Sequence, residues 1–153
     1  MRRGMILGII LLFLLSFISS LWAGPFCCVA GKYRVSFKNT WAPPPLQDEV
    51  GKVHPGYIII RQNSQCDKSI GIIVLDKEQN VLFKGKGTVI PVRYKCLFKG
   101  SLYGNPEGYP EKVEVKGELT KQGSIWYIKG KYDNVTPPPH EGVDGVFTGG
   151  QTN

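Results

Sequence analysis

The sequence is short of the residues that most site chemistries need, with two His, two Met and four Cys among 153 residues. It has no C-x-x-C pair and no His near a Cys, so a zinc site is not expected. No Ser occupies a recognisable nucleophile turn. Gly85-Lys86-Gly87-Thr88 lacks the G-x-x-x-x-G-K-[ST] spacing of a phosphate loop and reads as a turn. Charged residues make up only 20% of the chain and apolar ones 42%, which excludes disorder through high charge and low hydrophobicity. The 19 Gly and 11 Pro follow no three-residue period, which excludes collagen. Beyond residue 22 there is no second long apolar run and no helical stripe, so helix-rich classes are excluded as well.

The first segment has the form of an export signal. Met1-Arg2-Arg3-Gly4 is a basic start, residues 5–22 carry no charge, and Ala23 is a small residue at which a peptidase can cut. Cleavage after Ala23 leaves residues 24–153 as one domain, periplasmic or secreted. The alternative is an uncleaved membrane anchor through residues 5–22, a length at the lower bound of about 17 to 25 residues for a spanning helix. Gly24-Pro25-Phe26 before Cys27 makes a poor lipobox.

Cys27, Cys28, Cys66 and Cys96 all lie beyond that segment, and two disulfides are expected in an oxidising compartment. A bridge between the adjacent Cys27 and Cys28 is strained, so one of them pairs with Cys66 or Cys96, and spacing does not choose between these two.

The body alternates strand-like runs with clusters of turn residues. Tyr33, Val35 and Phe37 fall on one face of residues 32–38 and Lys32, Arg34, Ser36 and Lys38 on the other, the period of a half-buried strand. The same alternation places Val113, Val115 and Leu119 opposite Lys112, Glu114, Lys116 and Glu118, and Val92, Tyr94, Cys96 and Phe98 opposite Arg93, Lys95 and Lys99. Further strands are expected over residues 57–61, 70–75, 81–84 with 88–90, 125–132 and 143–148. Residues 76–80 and 120–124 read as tight turns, the second with Gly123 placed for a positive φ. Eight sequential strands of this kind predict an all-β, eight-stranded antiparallel up-and-down meander barrel, with a β-sandwich as the alternative.

Gly31-Lys32-Tyr33, at the start of the first strand, resembles the Gly-x-Trp opening of calycins, the group of lipocalins and avidins, with Tyr in place of Trp. The resemblance implies a barrel with one small-molecule site at its mouth. It carries no ligand-binding residue onto this chain.

Strand parity puts the three long connections, residues 39–55, 101–111 and 133–142, at one end of such a barrel. They hold Trp41, His54, Tyr103, Tyr109, His140 and Glu141, together with both Pro triplets. Proline runs set an extended, low-entropy path that can hold aromatic side chains in place, which suits a rim that binds a small amphipathic ligand. The competing reading folds the same aromatics over the open end as a hydrophobic plug.

The expected function is therefore non-enzymatic binding of a small amphipathic ligand or an envelope component. The alternative is a structural or interaction protein of the cell envelope that meets an envelope protein or polymer through basic outer strands, with Lys95 and Lys112 as the residues to test. An enzyme would need His54 or His140 within hydrogen-bond reach of a carboxylate in a pocket. No cofactor and no metal site is expected, and nucleic acid does not suit an exported chain. Asn134-Val135-Thr136 is a glycosylation sequon, followed by Pro137.

Overall fold

In the computed structural model, residues 26–152 are described. The export-signal and anchor expectations fall on residues 1–25 and lie outside the described residues. Eight strands follow in chain order: β1 Gly31–Trp41, β2 Val53–Arg61, β3 Ser69–Leu75, β4 Val81–Val92, β5 Lys95–Gly104, β6 Glu111–Gln122, β7 Ile125–Asn134 and β8 Asp144–Gln151. Each pairs antiparallel with its sequence neighbour, and β1 also pairs with β8 through Tyr33 opposite Gln151 and Phe37 opposite Phe147, which closes the barrel. Closure leaves neither edge of the sheet unpaired. The sandwich alternative is thereby excluded.

Alternation along each strand sends one set of side chains inward. On β1 these are Tyr33, Val35, Phe37 and Asn39; on β6, Glu111, Val113, Val115 and Leu119. Gly123 turns with φ +62° between β6 and β7, as its place in the sequence predicts.

One stretch departs from expectation. Gly85-Lys86-Gly87-Thr88 is not a turn but the middle of the continuous strand β4, and the reversal comes at Arg93 and Tyr94 instead. Tyr94, expected on an inner face, is 96% exposed there. The reason is steric. Gly85 faces inward where the neighbouring strand passes so close that an added Cβ would lie 2.0 Å from the Ser101 carbonyl oxygen. Glycine here serves close backbone approach within a sharply curved sheet rather than chain reversal.

The N-terminal segment fastens the end at which β1 begins. Cys27 bonds to Cys96 at the start of β5, and Cys28 to Cys66 in the β2–β3 connection, with Cα separations of 5.8 and 4.8 Å. The Gln62 side chain accepts from Val29 N (2.9 Å) and donates to the Cys27 carbonyl (2.8 Å), while Tyr33 Oη donates to the Val29 carbonyl (2.7 Å). Val29 is wholly buried against the same core as Ile60, Leu119 and Ile128. Three hydrogen bonds and two disulfides thus hold an extended segment that has no sheet partner of its own.

Replacing Cys27 and Cys96 together by Ser is expected to lower the unfolding free energy by about 2–4 kcal/mol, read from guanidinium titration. A loss well under about 1 kcal/mol would show that this bridge does not hold the end closed. Alkaline pH gives a second test. Burial raises the Tyr33 hydroxyl pKa, and burial together with Asp144 pushes Tyr132 up to about 12. Both stay protonated in the fold at pH values where the unfolded chain, with Tyr near 10, binds fewer protons, so stability falls as pH rises from about 10 to about 12. Tyr132→Phe is expected to flatten that fall, and an unchanged slope would remove Tyr132 from the account.

Candidate binding cavity

The connections after β1, β3, β5 and β7 share the end opposite the disulfides. Between them opens a cavity of about 770 Å³, within the range of about 300–1,000 Å³ usual for small-ligand sites. Its walls are apolar: Phe37, Ile58, Leu102, Val115, Phe98 and Phe147 all face into it. Glycine shapes its floor. Phe98, Gly117, Gly130 and Phe147 stand opposite one another across β5 to β8, and the two rings lie over the glycines. An added Cβ would meet Phe98 Cε1 at 2.9 Å from Gly117, and Phe147 Cζ at 2.6 Å from Gly130. Phe147 approaches Phe98 and Phe37 at centroid distances of 6.2 and 6.0 Å. Below this layer, Leu119 and Ile128 stand level with Cys96, which carries the disulfide to Cys27.

Polar groups gather toward the mouth. Tyr132 Oη donates to the buried Asn39 Oδ1 (2.6 Å), and Asn134 Nδ2 donates to Glu111 Oε2 (2.7 Å). Burial pushes the Glu111 carboxyl above the usual range, and the nearby Glu107 adds to the effect. The Asn134 side chain of the sequon is therefore engaged inside the mouth, where it also accepts from Thr136 N (2.9 Å). A 3₁₀ helix, Pro44–Glu49, crosses the β1–β2 connection and brings Pro43, Pro44, Pro45 and Glu49 to the rim.

Of the six rim residues singled out in the sequence, His54, Tyr109, His140 and Glu141 line the cavity. Tyr109 and His140 stack, with centroids 4.1 Å apart and planes 17° from parallel. His54 Nε2 lies 3.4 Å from Glu49 Oε2, while the other oxygen of that carboxylate, Oε1, takes Lys52 Nζ at 2.7 Å. Trp41 and Tyr103 do not line it. Both belong to strands rather than loops, because β1 runs to Trp41 and β5 to Gly104. Alternation then turns Tyr103 outward from its buried neighbour Leu102, leaving it 58% exposed with Lys112 Nζ 5.9 Å from its ring centre; Trp41 is 47% exposed.

Sequence reasoning passed over Asn39, Glu111, Tyr132 and Asn134 as site residues because each lies at a strand end, where expected and observed boundaries differ. The signal was present: counting back in twos from Val115 through Val113 puts Glu111 on the inner face.

The outer surface carries a different pattern. Lys99, Lys116 and Lys131 stand directly opposite one another on β5, β6 and β7. Lys95 and Lys112, the basic residues first chosen for test, are instead paired with Glu118 and Glu114.

No protein family, curated protein or solved structure matches this chain.

Proposed function

We propose that the protein is an exported, non-enzymatic binding protein that takes a small amphipathic ligand into the barrel through the rim formed by the β1–β2, β5–β6 and β7–β8 connections. The observation that carries this reading is the apolar chamber of about 770 Å³ beneath a polar mouth, one end of the barrel being fastened and the other open. This is the arrangement implied by the calycin resemblance. The two disulfides fit an oxidising extracellular or periplasmic setting, which supports export. The His54–Glu49 pair, 3.4 Å apart at the rim, meets the distance required of an acid–base site, and it is the extent of the apolar chamber that favours binding as the function.

A second reading rests on the lysine row. Like charges directly opposite one another on a sheet are destabilising, and among the described residues Lys99, Lys116 and Lys131 have no salt-bridge partner. Such a row supports contact with an anionic envelope polymer. The two readings concern separate surfaces.

Binding of the neutral fluorophore N-phenyl-1-naphthylamine tests the first. Val115→Phe, which fills the chamber, is expected to weaken fluorophore binding by about ten-fold or more while the protein still melts cooperatively. Trp41→Ala, Tyr103→Ala and the Lys99→Glu, Lys131→Glu pair are expected to leave it unchanged. Unaltered binding to Val115→Phe would place the fluorophore elsewhere and remove the cavity reading.

A further inference from the structure

The cavity and the protein that holds it carry opposite charge. The chain has 19 Lys and Arg against 12 Asp and Glu, yet no Lys or Arg lines the chamber, whereas Glu49, Glu107, Glu111 and Glu141 do. Lys52 offsets Glu49. Glu107, Glu111 and Glu141 form no ion pair among the described residues.

Glu111 bears most of the argument. It occupies an inward position of β6, opposite Gly104 and next but one to the buried Val113, and its carboxylate is held by the neutral amide of Asn134. An amide orients a carboxylate without compensating its charge, and partial burial of an uncompensated carboxylate lowers stability. A glutamine at this position would keep an acceptor for Asn134 without that penalty. An acid here has a physical use if a cation arrives with the ligand.

The surroundings define which kind of cation. The described residues hold no group of three His, Cys, Asp or Glu side chains placed to ligate a metal ion. A small inorganic cation would also leave the apolar chamber unused. Tyr109 and His140 add a stacked aromatic surface at the same mouth, and aromatic faces beside carboxylates are the chemistry that recognises organic ammonium groups.

We infer that the ligand is a cationic amphiphile, an organic ammonium group on an apolar body, with the ammonium beside Glu111 and near Glu107 and the body over the Phe98 and Phe147 rings. This inference rests on the cavity being a binding site. It adds the sign of charge at the mouth, which the shape of the chamber does not supply.

The test is calorimetric titration of the oxidised protein with n-decylammonium, n-decanol and n-decanoate, each below its micelle concentration. The expected order is ammonium first, about ten-fold or more tighter than decanoate, with decanol between. The Glu107→Gln, Glu111→Gln double variant should lose about ten-fold for the ammonium and little for decanol, and should melt no lower than the parent, since the hydrogen bond to Asn134 is kept. Asp67→Asn, at an exposed carboxylate in the β2–β3 connection of the fastened end, makes one such change of charge away from the mouth and should leave the order intact. Decanol or decanoate binding as tightly as the ammonium, or an unchanged preference in the double variant, would overturn the inference while leaving the cavity as an apolar site. Absence of binding by all three probes would overturn the cavity reading and this inference with it.

Discussion

Closure of eight strands into one sheet is the constraint on which the rest depends. A barrel of this size is just wide enough for its own side chains, or for part of them and one small ligand. Which outcome occurs depends on what the inward positions hold. Here glycine occupies several of them, including Gly85, Gly117 and Gly130, where neighbouring backbone comes too close for a Cβ. Large inward rings can then lie over bare backbone: Phe98 and Phe147 lean across Gly117 and Gly130 and form a floor partway along the barrel. The same glycines therefore permit the curvature and define the depth of the chamber.

The two ends of the barrel are built from different chemistry. At one, the segment before β1 is tied by two disulfides, by Gln62 and by the Tyr33 hydroxyl, and it packs Val29 into the core. Opposite it, longer connections carry prolines, carboxylates and a stacked Tyr109–His140 pair around an opening. Covalent fastening of one end leaves the cavity opening at the other. The mouth is also where charge changes sign relative to the basic exterior. A ligand of the kind proposed would thus meet a local field that the net charge of the chain does not predict.

Much of this was legible in the sequence, because period-two alternation reports directly on the two faces of a half-buried strand. Tyr33, Val35 and Phe37, and likewise Val113, Val115 and Leu119, declared the inner faces of β1 and β6, and strand parity placed three long connections at one end. Reading failed where one residue type serves two purposes. Gly85 and Gly87 look like a turn, but their lack of a side chain is used for close packing between strands. Strand ends were the other blind spot: taking Trp41 and Tyr103 as loop residues brought them to the rim, whereas the longer strands turn Tyr103 outward and hand the mouth to Asn39, Glu111 and Asn134. The disulfide partners were open for a different reason, since adjacent cysteines at 27 and 28 have nearly equal reach and only the path of the closed end distinguishes them.

The central claim is that the interior is divided by the Phe98–Phe147 layer into a packed end and an accessible chamber. Methyl NMR during titration with n-decanol tests it most directly, since Ile58, Ile72 and Val115 line the chamber and Leu119 and Ile128 lie below the layer. The account predicts saturable shifts confined to the first three. Shifts of equal size in both sets, or none in either, would contradict it.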